Sequence, residues 1–139
     1  MSSLHYLRWR KSTVQNQIQF NRNAVASTED KLIRLRQALN ELSSTLSDLD
    51  SVRYSINSLS IDLKSWRGKK EDDFEQKYNR YKDNTKAYVF KVDDAKEAIN
   101  DDIRRYEAEK ASYQSSISSL EHTIRFLDNQ IAHVKRGVN

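Results

Sequence analysis

The sequence predicts an all-α fold, a long antiparallel two-helix hairpin with coiled-coil-like packing, and three observations predict it. The 139 residues include no proline and only two glycines, where average usage would supply roughly ten glycines and seven prolines. Apolar residues recur at alternating three- and four-residue steps through both halves of the chain, the period of a seam between packed helices. A single glycine, Gly68, stands between those halves, with cations before it and acids after it. β architectures place Gly and Pro at their turns, so the same counts exclude most of them.

The first helix is expected over about residues 3–65, with Ser2 or Ser3 as its N-cap. Its seam runs Leu4, Leu7, Val14, Ile18, Val25, Leu32, Leu35, Leu39, Leu42, Leu46 and Leu49, with Lys11, Asn21 and Thr28 filling the gaps. At Leu49 to Val52 a second consecutive step of three shifts the phase, which overwinds a coiled coil locally without ending it. The seam resumes as Ile56, Leu59, Leu63 and Trp66. Ala26 to Asp30 is a candidate interruption, because Ser27 and Asp30 have the spacing of a capping box.

The reversal is expected at Trp66-Arg67-Gly68. Glycine tolerates the left-handed conformation that ends a helix. Lys64 and Arg67 lie where a helix C-terminus favours cations, and Glu71, Asp72 and Asp73 lie where the next N-terminus favours anions. The second helix is expected over about residues 70–136. Its seam runs Phe74, Tyr78, Tyr81, Thr85, Tyr88, Val92, Ala95 and Ile99. After one extra step of four it continues from Ile103 through Tyr106, Lys110, Tyr113, Ile117, Leu120, Ile124, Leu127, Ile131, Val134 and Val138. The polar stretch Lys82 to Thr85 is a second candidate interruption. Gly137 marks the far end as Gly68 marks the near one.

Residues 1–139 thus read as one helical-hairpin domain with arms of about 60 residues, each about 90 Å long. A turn near residue 67 brings both termini to one end. Arg8, Arg10, Lys11, Lys135 and Arg136 gather there without an acid in residues 1–11 or 131–139; these five cations exceed the net charge of +4 and leave the rest of the chain at −1.

Several large apolar residues lie off the seam. Trp9, Ile61 and Phe90 fall opposite it, Phe20 and Phe126 fall at another outward position, and Ile33 at a third. Trp9 and Phe126 are expected at the same height. Scattered exposed apolar residues are normal, but a set made mainly of Trp and Phe points to a second interface with partner helices laid alongside. Two serine rows, Ser43-Ser47-Ser51-Ser55-Ser58 and Ser112-Ser115-Ser116-Ser119, either let a helix approach closely or form a solvated face, the usual fate of serine.

The sequence holds little chemistry. Zero cysteine excludes disulfides, thiolate zinc sites and a cysteine nucleophile. Two isolated glycines cannot form a phosphate-cradling loop. His5, His122 and His133 lack the neighbours of a metal set or a catalytic site. Asp93-Asp94 and Asp101-Asp102 are adjacent on a helix and so diverge. A thin hairpin offers no deep pocket. No enzyme, cofactor or metal is expected. The pI near 9.3 and Arg8-Trp9-Arg10-Lys11 raise nucleic-acid binding, but 20 acids and the lack of a continuous basic face argue against it. Residues 1–11 show no signal-peptide pattern and no apolar run reaches a membrane span, so cytoplasmic synthesis is expected, with any export through a route that reads folded helices or a partner.

Trp66-Arg67-Gly68 between two amphipathic helices, with Phe74 and Tyr78 just beyond, resembles the WXG superfamily of Esx-like hairpins exported by type VII secretion. The length, the start and the Tyr-rich second arm look most like the YwqH-like proteins, the LXG-associated α-helical (Lap) proteins of Gram-positive bacteria. The resemblance implies a targeting factor or chaperone that binds the helical N-terminal region of an LXG-type toxin, alone or with a second small helical protein, and presents it to the secretion apparatus. It implies that Trp66 packs at the turn and that Gly68 permits the reversal. Related proteins carry an aromatic-x-x-x-acid export motif after the second helix. Here Phe90 and Asp94 have that spacing but lie within the arm, and Phe126 is followed four residues later by Gln130. The alternative reading is a self-associating structural coiled coil or adaptor.

Overall fold

The computed structural model describes residues 2–62 and 69–138; residues 1, 63–68 and 139 fall outside the description, as do the side chains of residues 2, 57, 59–62, 69–71 and 138. The fold is all-α. Helix α1 spans Ser2–Asp62 and helix α2 spans Lys69–Val138, and the two pack antiparallel as a helical hairpin. The expected turn residues Trp66 and Gly68, and the side chain of Ile61, lie outside the described residues.

Neither candidate interruption breaks a helix. At the first, the Thr28 hydroxyl donates to the Ala24 carbonyl at 2.8 Å. Its hydrogen bond is spent on the preceding turn of the same helix, so no new N-terminus forms there. The chain divides into two compact units, one made by Met1–Arg34 with Ile103–Asn139, the other by Leu35–Asp102.

The first unit holds the better-packed seam. Leu7, Val14, Ile18 and Leu127 form its buried cluster, with Ile117, Leu120, Ile124, Ile131 and Val134 packed against it. Leu32 and Thr28 are buried further along α1. Burying each such aliphatic side chain contributes about 1.5–3 kcal/mol. The register is held beside the seam by three ion pairs across the helices: Lys11 with Asp128 at 2.6 Å, Arg22 with Glu121 at 3.4 Å, and Glu29 with Lys110 at 3.3 Å. The α1 members step by 11 and then 7 residues, and their α2 partners by 7 and then 11 in the opposite direction. Both steps are near whole numbers of helical turns, so the pairs line one side of the seam. The charge changes sign along them, cation-cation-anion on α1 against anion-anion-cation on α2, which disfavours a shifted pairing. Lys11→Asp is expected to lower stability by about 0.5–1 kcal/mol, and the exchange Lys11→Asp with Asp128→Lys to restore most of it, read by chemical denaturation. Equal losses in the single and double variants would show that the pair does not hold the register.

The second unit buries less. Among its described residues only Val92 and Thr85 are buried, while Leu35, Leu39, Leu42, Leu46 and Leu49 are half-buried. Here the structure corrects the seam expected from sequence: Val52, Tyr81 and Tyr88 are exposed. Val52 sits at the phase slip, which turns it away from the partner helix. A contact between two helices covers a narrow stripe, and the long tyrosines reach past it with their hydroxyls in water. Phe74 and Tyr78 instead stack along α2 with centroids 6.4 Å apart, and the Lys82 ammonium lies 5.3 Å from the Tyr78 ring. These contacts run one turn apart on the same helix.

Candidate partner-binding surface

The outward face of the first unit follows from helical spacing. Tyr6, Trp9, Thr13, Asn16 and Phe20 step by threes and fours along α1, on the side away from Leu7, Val14 and Ile18. The Tyr6 and Trp9 rings lie 6.1 Å apart at 33°, and the Thr13 hydroxyl donates to the Trp9 carbonyl at 3.1 Å. Trp9 is 60% and Phe20 70% exposed. On α2, Ser115, Ser116 and Ser119 lead to Phe126, seven residues beyond Ser119 and 56% exposed.

Between these faces runs an open groove of about 680 Å³. Thr13, Gln17 and Phe20 line it from α1, Ser115, Ser116 and Ser119 from α2, and no lining residue is charged. The other side of the same seam differs. Its groove, about 490 Å³, is lined by Gln19, Arg22, Glu121 and Arg125, and the Arg22–Glu121 pair crosses it. Arg125 also contacts His122 at 2.9 Å. One side of the helix pair is closed by charge; the other presents small polar side chains under an aromatic wall.

The structure brings Phe20 together with the second serine row, a juxtaposition not expected from sequence. Trp9, Ile33 and Phe126 are exposed in the same unit, and among the described residues no ring contact joins Trp9 to Phe126. Phe90 belongs to the other unit and is exposed; Asp94 follows one turn later and is exposed too. The first serine row is spent locally: Ser51, Ser55 and Ser58 donate to the carbonyls of Ser47, Ser51 and Tyr54. Its face is solvated and self-satisfied. The ion-pair ladder and the charge-free groove were missed by sequence reasoning. Spacing alone did not announce the ladder, because steps of 11 and 7 residues on α1 face steps of 7 and 11 on α2.

The two terminal segments of the first unit are mostly cationic. Residues 1–28 carry Arg8, Arg10, Lys11 and Arg22 and no acid, and residues 122–139 carry one acid, Asp128, which is paired with Lys11. Such a surface can seat a helix; among the described residues lining the groove, no acid–base or nucleophilic group is gathered around a reacting atom. Among the described residues, no group of three metal-ligating side chains forms, and no helix is long and apolar enough to cross a membrane.

The YwqH-like family model matches residues 10–129, and the chain belongs to this family. The matched span includes Phe20, the second serine row, Phe90 and Phe126, and begins one residue after Trp9. Comparison with curated proteins and with solved structures found no match.

Proposed function

We propose that this YwqH-like chain is a non-catalytic targeting factor that binds the helical N-terminal region of an LXG-type toxin and presents it to a type VII secretion system. One observation carries the reading: Trp9, Phe20, Ile33, Phe90 and Phe126 all remain exposed after the seam of the hairpin is filled. Large aromatic side chains left in water favour a further apolar contact, and aromatic anchors dominate protein interfaces. Ile61 belongs to the same outward set in the sequence. Family membership supports a protein partner, and helices laid on an outer helical face are the contact this surface suits best. In this reading assembly with the toxin in the cytosol precedes export, and Phe90 with Asp94 is the candidate export motif.

Co-expression with an LXG-type toxin, followed by purification on a tag and mass measurement, tests the reading. The expected result is a heteromeric complex. A homodimer or tetramer that ignores the toxin supports a self-associating coiled coil instead. Phe90→Asp is expected to reduce recovery of the partner several-fold while leaving helical circular dichroism unchanged, because Phe90 is exposed. Undiminished recovery would remove Phe90 from the interface.

A further inference from the structure

We infer that the second unit opens and re-closes as one piece, its two helices parting over residues 35–56 and 72–102 while the first unit stays closed. Packing alone distinguishes the two units, whatever the chain binds. In the first unit Leu7, Val14, Ile18, Leu32 and Leu127 are buried. The pairs Lys11–Asp128, Arg22–Glu121 and Glu29–Lys110 join one helix to the other there. Among the described residues of the second unit only Val92 and Thr85 are buried, and Leu35, Leu39, Leu42, Leu46 and Leu49 keep part of their surface in water.

Thr85 marks a gap in that seam. It lines two grooves, one of about 400 Å³ shared with Ile56 and Lys86, the other of about 580 Å³ shared with Leu49 and Tyr88. Threonine is shorter than leucine and carries a hydroxyl, so it fills neither. Thr28 holds a similar position in the first unit, but its hydroxyl bonds to the Ala24 carbonyl and the neighbouring Leu32 is buried. The side-chain contacts named for the second unit run along single helices: Ser55 with Ser51, Phe74 with Tyr78, and Lys82 with Tyr78. They survive separation of the helices and do not oppose it. A region with few buried apolar contacts opens at lower free energy than the whole chain unfolds. Parted helices of this length are marginal in water, so opening frees their backbone amides to exchange. It also uncovers the inward sides of Leu39, Leu42, Leu46 and Leu49.

Hydrogen–deuterium exchange of the full-length chain, read by mass spectrometry on overlapping peptides, tests this. Amides of residues 39–56 and 72–99 are expected to exchange about tenfold or more faster than those of residues 7–32 and 106–131. The change is expected as a step, between residues 32 and 39 on α1 and between 99 and 106 on α2. Thr85→Leu fills the gap and is expected to slow exchange about threefold or more throughout 39–56 and 72–99, with the first unit unchanged. The slowing on α1 is the telling part, because leucine's better helix propensity acts on α2 alone. Uniform protection along both arms, or protection that declines smoothly without a step, would overturn the inference. So would a Thr85→Leu effect confined to α2, or one shared equally by both units.

Discussion

Leu127→Ala is expected to lower the unfolding free energy by about 2–4 kcal/mol, the largest stability effect of any single substitution considered for this chain. Leu127 is fully buried and belongs to the cluster with Leu7, Val14 and Ile18. Truncation removes its transfer energy and leaves a cavity that two long helices, fixed by their ion pairs, close only in part. Leu46→Ala provides the comparison. Leu46 is half-buried in the second unit, so less area is lost and the expected cost is about half as large. Denaturant unfolding followed by circular dichroism reads both. Equal costs at the two positions would mean that the first unit is not the better-packed part of the hairpin.

Trp9→Asp is expected to weaken partner affinity by about thirtyfold or more, the loss typical of an aromatic anchor at the centre of an interface, with helicity and melting temperature nearly unchanged. Trp9 lies on the α1 face that carries Phe20 and makes its ring contact with Tyr6 of the same helix, so its removal leaves the seam intact. Gln37→Asp, also at an exposed α1 position, is the control and is expected to bind as the native chain does. Titration of the co-purified partner against each variant measures the effect. A Trp9→Asp protein that binds normally would remove the outer aromatic stripe from the interface.

The hairpin is legible in the sequence because a three-four alternation kept up through two arms without proline leaves few alternatives. Thr28 and Thr85 show the strength of the pattern: both are polar, both stand at seam positions, and both are buried. The pattern weakens where polar or tyrosine side chains replace leucine. At Val52, Tyr81 and Tyr88 the period is kept but burial is not, because period fixes direction and not the width of the contact. The exposure of Trp9, Phe20, Ile33, Phe90 and Phe126 follows from their place off the seam. What they bind does not follow from periodicity. The difference between the two sides of the first unit was hidden for another reason. It depends on pairing residues about 100 positions apart, such as Arg22 with Glu121, and a heptad reading of one helix at a time cannot assign cross-helix partners.

Native mass spectrometry of the purified chain, alone and mixed with the helical N-terminal region of an LXG-type toxin, tests the proposed targeting role most directly. A heteromeric complex that forms with the native chain and is lost with Trp9→Asp is the expected result. Homo-oligomers that stay unchanged on mixing would contradict it.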